Sequence, residues 1–302
     1  MNQEVYHIPA LLPQCLDALD IKPGGVYVDA TFGGGGHSRA ILDCLGPDGR
    51  LLGFDQDEDA LPGAPDDARF TMVYGNFRFL SNFLRFYGVD AVDGILADLG
   101  VSFHHFDDAS RGFSFRADAP LDMRMNRHAA TTAAALLNDI TEERLGDILH
   151  LYGEVPNARR MARAIVSARS QAPIHTISRL LEVINPLIDR RKEKKELACV
   201  FQALRIEVNG ELDALRSFLT QAAEALRPGG RLAIITYHSL EDRLVKNFMR
   251  SGNFEGRVET DIYGRANRSL KPLGSKPIVA DEAEVEANPR SRSAKLRVAV
   301  KI

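Results

Sequence analysis

The stretch Val26-Tyr-Val-Asp-Ala-Thr-Phe-Gly-Gly-Gly-Gly-His-Ser38 decides how the chain is read. A short β-branched and aromatic run leads into four consecutive glycines. After them, Ser38-Arg-Ala-Ile-Leu-Asp-Cys-Leu45 repeats its apolar residues at helical spacing until Gly46-Pro47 stops it. This is strand, tight turn, helix. Working outward, RLLGFD (50–55) reads as a second buried strand ending in an acid, FTMVY (70–74) as a third, and VDGILAD (92–98) as a fourth, again closing on an acid. Strands alternating with helices at this interval predict a parallel sheet covered on both faces. In such sheets ligands sit beyond the carboxyl ends of the strands.

The alternation stops after the fourth strand. From about residue 103 to 196 no buried strand is evident, but helical spacing recurs at 142–152 and 158–168. A long helix is expected over roughly 201–226. It ends at Arg227-Pro-Gly-Gly230, which feeds the apolar strand RLAIIT (231–236). Closing strands are expected around 257–259 and 295–301, antiparallel if they form a terminal hairpin. The expected organisation is a discontinuous sheet domain, 1–104 and 198–302, carrying a helical insertion over 105–197.

The 302 residues are 45% hydrophobic and 26% charged, with a formal net charge of −3, so no overall basic field marks a nucleic-acid partner and only local patches can do so. Three scattered cysteines, Cys15, Cys44 and Cys199, show no paired spacing for zinc or redox work. No segment approaches the roughly 20 apolar residues of a membrane span, and the N-terminus lacks a signal pattern. A cytosolic protein without a membrane partner is expected.

Gly33, Gly35 and Ser38 approximate G-x-G-x-x-G, a pattern that lets backbone approach a ligand closely but that plain turns also produce. Asp55 closes the next strand about 20 residues later, where a carboxylate can accept both ribose hydroxyls of an adenosine group. Its other reading, as a cap or loop acid, is weakened because Asp57, Glu58 and Asp59 are at hand for that work. Nicotinamide enzymes and methyltransferases both place an acid there. Asp98 favours the latter, since it can neutralise the ammonium of a methionine moiety or face a methyl acceptor, and no dehydrogenase-like His-plus-Arg pattern follows.

At the level of motifs the chain resembles the bacterial MraW family, which methylates the exocyclic N4 of a cytidine in small-subunit ribosomal RNA. The resemblance is carried by DATFGGGGHS (29–38), GFDQDEDA (53–60), ILADLGVS (95–102), RGFSFRADAPLDMRM (111–125), FQALRIEVNGEL (201–212), LRPGGRLAIITYHSLEDRLVK (226–246) and NPRSRSAKLRV (288–298). It implies a class I, Rossmann-like α/β methyltransferase sheet with a helical insertion domain, and S-adenosyl-L-methionine as cofactor. It implies cofactor contacts at Gly35, Gly36, His37, Asp55, Phe77 and Asp98, beside the Gly33 of the glycine pattern. Backbone amides of the turn would meet the methionine carboxylate, and Phe77 would wall the adenine or serve as a core aromatic. The chain departs from the family where His105 takes a glutamine position, so that cofactor contact carries over in altered form, and at Glu196-Leu-Ala-Cys-Val200, which lacks a family arginine. The implied partner is small-subunit ribosomal RNA, within a ribosomal subunit or late assembly particle; a homodimer is left open.

A cytosine amine is a poor nucleophile because its lone pair is delocalised into the ring, so acceptors near the amine and alignment of the partners must help it. The candidates are Asp98, Asn209, His238 and Ser239, with His238 equally readable as a cap or core histidine. Methylation at ring carbon C5 would need a nucleophilic cysteine, and none is suitably placed. His104, His105, Asp107 and Asp108 are too close in sequence to converge on one ion, and no metal is expected. Basic runs at 159–163, 190–195 and 290–295 are the candidate phosphate contacts, applied without base specificity. Two competing readings stand beside this one: a subunit assembly factor that uses cofactor binding as a checkpoint, and a nicotinamide-dependent oxidoreductase.

Overall fold

The structure is a computed structural model describing residues 9–100, 108–260 and 268–302. Along the chain, α1 (Leu12–Leu19) precedes β1 (Val26–Asp29), α2 (Gly36–Cys44), β2 (Arg50–Asp55), β3 (Phe70–Tyr74), α3 (Leu80–Phe86) and β4 (Val92–Asp98). Among the described residues five helices follow: α4 (Ala133–Asp139), α5 (Glu142–Leu151), α6 (Ala158–Arg169), α7 (Ile177–Ile184) and α8 (Glu193–Asn209). The chain then runs through α9 (Glu211–Ala225), β5 (Leu226–Thr236), α10 (Ser239–Ser251), β6 (Leu270–Pro272), β7 (Ile278–Val279), α11 (Glu282–Ala287) and β8 (Lys295–Lys301). It divides into two compact units, 1–100 with 212–302, and 101–211.

The first unit is a sheet of order β3-β2-β1-β4-β5-β8-β6, with β7 pairing on β8. The first five strands are parallel and β8 runs antiparallel to β5, the order of a class I methyltransferase sheet. Central strands are buried almost throughout, as expected of a parallel sheet covered on both faces. On one face Leu19, Tyr27, Ile41, Leu51, Leu96 and Ile235 share a core. Gly53 of β2 is required by packing, since a Cβ there would stand 2.7 Å from the Phe70 ring.

The second unit has its own core, in which Leu121, Leu145, Ile148, Met161, Ile165 and Phe201 are buried. Thr132, Thr141 and Thr176 cap α4, α5 and α7 with their side chains. Its only β feature among the described residues is an isolated bridge between Pro120 and Thr176.

Two expectations are corrected. The long helix expected over 201–226 is two helices, because Gly210 takes φ 58° and ends α8 in the left-handed conformation that stops a helix. Residues 257–259 form no strand. The antiparallel partners of β8 are β5, β6 and β7 instead. Among the described residues no helix is long and apolar enough to cross a membrane.

Candidate active site

Three neighbouring parallel strands of the first unit, β2, β1 and β4, each end in an aspartate, so the fold brings Asp55, Asp29 and Asp98 to one edge of the sheet. Asp29 is fully buried. It accepts the Ser38 hydroxyl at 2.7 Å and the Thr31 amide at 3.2 Å. Burial raises its pKa, against the opposing charge of His37 and the Ser38 hydrogen bond. Asp55 accepts the Gly33 amide at 2.8 Å and the Asp57 amide at 2.9 Å, so it also shapes the glycine turn. Asp57 takes the capping role over the short turn at 58–63 that the sequence reading kept from Asp55.

Gly33 and Gly35 take φ of 52° and 75°, and a Cβ on Gly35 would meet the Phe32 ring at 2.6 Å. Among the described residues no side chain caps the N-terminus of α2, so its first amides point outward as helix donors do. A Cβ on Gly34 would meet nothing within 4 Å, which leaves open space over the turn.

Asp98 is the most worked of the three. Its amide donates to Thr31 Oγ1 at 2.6 Å, and its carboxylate accepts the Tyr237 hydroxyl at 2.8 Å. The other carboxylate oxygen lies 3.9 Å from His37 Nδ1. His37 is buried with Nε2 3.1 Å from the Ala10 carbonyl, which can only accept, so Nε2 donates to it and Nδ1 faces Asp98. The Asp98 side chain nevertheless keeps 24% of its surface exposed. Burial pushes its pKa up to about 6; His37 and the Tyr237 hydrogen bond oppose the rise, and Asp29 and Glu241 add to it. The Tyr237 phenol is raised in turn, first by its own burial and then by Asp98.

The other expected residues separate. Gly36 and His37 open α2, and His37 adds a side chain to the Asp98 network. Phe77 begins a short turn after β3 and packs edge-on against Phe218, with ring centroids 5.1 Å apart, a core contact that leaves the ring half-buried. His238 is the N-cap of α10, its Nδ1 accepting the Glu241 amide at 3.5 Å, and Ser239 is exposed in the first turn. Glu241 is buried and accepts the Tyr237 amide at 3.0 Å, closing the cap from the other side.

Asn209 belongs to the second unit. Its oxygen accepts the Met125 amide and its nitrogen donates to the carbonyls of Met123 and Arg205, so it is spent on holding a loop. Arg111 is buried against the same loop and donates to the carbonyls of Arg124 and Met125. His105 lies outside the described residues. Of the basic runs, Arg159, Arg163 and Arg191 are exposed and ion-paired with Asp147, Glu142 and Asp189, pairs of the weak surface kind.

Asp29, Thr31, Tyr237 and Glu241 join this network without having been expected in it. Asp29 carried the same signal as its neighbours, an acid at the carboxyl end of a buried strand. Tyr237 carried none, because its role depends on β4 and β5 being adjacent.

The model of the MraW methylase family matches residues 4–302. Over 300 residues the chain is 60% identical to a Bacteroides thetaiotaomicron protein named ribosomal RNA small subunit methyltransferase H, covering 99% of each chain. A Porphyromonas gingivalis protein of the same name is 54% identical over 306 residues, covering 100% of this chain and 98% of its own. Among solved structures, an rRNA methylase from Streptococcus thermophilus superposes with a TM-score of 0.42 at 11% identity, covering 96% of this chain and 93% of its own.

Proposed function

This chain belongs to the MraW methylase family, and we propose that it methylates the exocyclic N4 of a cytidine in small-subunit ribosomal RNA, with S-adenosylmethionine as donor, at the strand-end centre around Asp98. Identity of 60% across nearly the whole length to a ribosomal RNA small subunit methyltransferase supports the reaction class. That relationship also removes the oxidoreductase reading. The observation that carries the site is Asp98 itself, buried enough to titrate near neutrality and exposed enough to meet a ligand.

The residues present fit the cofactor. Uncapped amides at the start of α2 suit a carboxylate. Asp55, beside the turn, suits ribose hydroxyls, since a carboxylate offers about four lone-pair sites. Phe77, half-buried after β3, offers an apolar wall. When bound, S-adenosylmethionine supplies a methyl group already attached to a good leaving group.

The protein's own part is positioning and proton handling. The target cytidine must leave its stack to reach the sheet edge. Tyr237 holds one oxygen of Asp98 and leaves the other to accept an N–H of the amine, which draws the nitrogen lone pair out of conjugation. As the new N–C bond formed and the methyl group's bond to sulfur broke, the nitrogen would release a proton and Asp98 would take it. A pKa of about 6 leaves Asp98 ionised at neutral pH yet basic enough for that step.

Single-turnover methyl transfer, read by nucleoside mass spectrometry, tests this. Asp98→Asn should slow N4-methylcytidine formation by about a hundredfold or more while S-adenosylmethionine still binds. An unchanged rate sinks the assignment. Running the assay on free rRNA beside small subunits and late assembly particles identifies the form of substrate used.

A further inference from the structure

A groove in the first unit, between α9 and α10, has no part in the centre described above. It is lined by the buried Leu212, Leu240 and Leu244, by Phe254 and by the exposed Arg216 and Arg243, around a volume of about 570 Å³. Because α9 leads into β5 and α10 leaves it, the ends of the helices that form the groove lie toward the carboxyl edge of the sheet. Phe218 of α9 already meets Phe77 past the end of β3. That edge carries Asp98.

The charges of the groove are uneven. Some arginines of this unit are tied down, as Arg297 is to Asp242 and Arg227 to Asp93. Arg243 and the Lys246 one turn further along α10 are exposed, and among the described residues neither has a hydrogen-bond or ion-pair partner. Arg216 pairs with the exposed Asp213 and lies 5.9 Å from the centroid of Phe254, so its guanidinium is backed by an aromatic ring. Glu255 is the acid lining the groove.

We propose that this groove docks a single-stranded RNA segment next to the target nucleotide, with phosphates on Arg243 and Lys246 and a base stacked on the Arg216 guanidinium. The inference rests on the RNA-methylating function proposed above. Free cations one turn apart give the sequence-independent attraction that phosphates provide. A guanidinium supported by a ring is a platform on which any base can stack. An acidic peptide could use the cations but has no base to place on the ring-backed Arg216 guanidinium.

The test titrates a fluorescent single-stranded oligoribonucleotide, spanning the methylated region of the small-subunit rRNA, against wild type and the Arg243→Glu/Lys246→Glu double variant over a range of salt. S-adenosylmethionine binding to each is measured alongside as a check on folding. The double variant should bind RNA about tenfold or more weakly near 0.1 M salt. Its slope of log K against log salt should be shallower by about 1.4, because two phosphates of a single strand are no longer neutralised. Arg216→Ala should weaken binding at every salt concentration with a smaller change of slope. Unchanged affinity and slope in the double variant, with wild type binding RNA, overturn the groove and leave the methylation reading intact. Wild type that neither binds nor methylates RNA overturns both. Competition by polyglutamate as effective as by RNA of equal charge makes the groove a site for acidic protein and overturns the proposal.

Discussion

Asp98 sits where two demands conflict, since burial opposes its ionisation and the proposed reaction requires it. Its pKa of about 6 exceeds the ordinary carboxylate value near 4, so the folded state holds the proton more tightly than the unfolded chain. The stability that the protonated form contributes is therefore fully present below about pH 4 and is lost as pH rises through about 6. Two outcomes follow for this residue. Asp98→Asn should raise the melting temperature relative to wild type at pH 8, an advantage that disappears at pH 4, and a scan of both proteins across that range checks it. Methyl transfer by wild type should fall away below about pH 6. Tyr237→Phe removes a hydrogen bond that holds the ionised form, so the acid limb of the rate profile should move to higher pH. A lower rate with an unmoved limb would make Tyr237 a packing residue only.

At the scale of elements, most boundaries follow from local chemistry. Strands end at their acids, α2 begins where glycines release the chain, and α10 begins at His238, whose side chain caps it. Gly210 is the clearest misreading, because the apolar spacing runs on through it and hides the break between α8 and α9. Its φ is 58° and a Cβ would meet nothing within 4 Å, so any cost of adding one is conformational. Gly210→Ala should therefore destabilise by about 1–2 kcal/mol, measured by urea unfolding with an unchanged m value. A much larger loss would mean that the joint is packed more tightly than its open surroundings indicate. The strand expected at 257–259 failed for a different reason. A short β-rich run becomes a strand only if a neighbour presents free backbone, and β8 is taken by β5, β6 and β7.

At the scale of the molecule, two units with separate cores share one chain, and the sheet unit is completed only after residue 211. A ligand that binds only the folded sheet unit stabilises it by about 2.7 kcal/mol at a concentration a hundred times its Kd. For a unit of this size that is a rise in melting temperature of about 5–10 °C. S-adenosylmethionine should produce such a rise, Asp55→Ala should abolish most of it, and NAD should have no effect, all by differential scanning fluorimetry. Where two transitions are seen, the one that moves belongs to the sheet unit.

The parallel sheet, the glycine turn, the acids that close β2 and β4 and the family are legible along the chain, because each is written in local spacing or in contiguous motifs. Tertiary structure decided which of these residues meet. Asp29, Asp55 and Asp98 become neighbours only because β1 lies between β2 and β4. Tyr237 reaches Asp98 because β5 pairs with β4, and His37 turns inward because Ala10 offers it a carbonyl. Asn209 and Arg111, prominent in the motifs, turn out to hold a loop of the second unit through backbone carbonyls and amides. A backbone partner has no sequence signature, since every residue offers the same amide and carbonyl, and only the folded chain shows which ones are left for a side chain to satisfy.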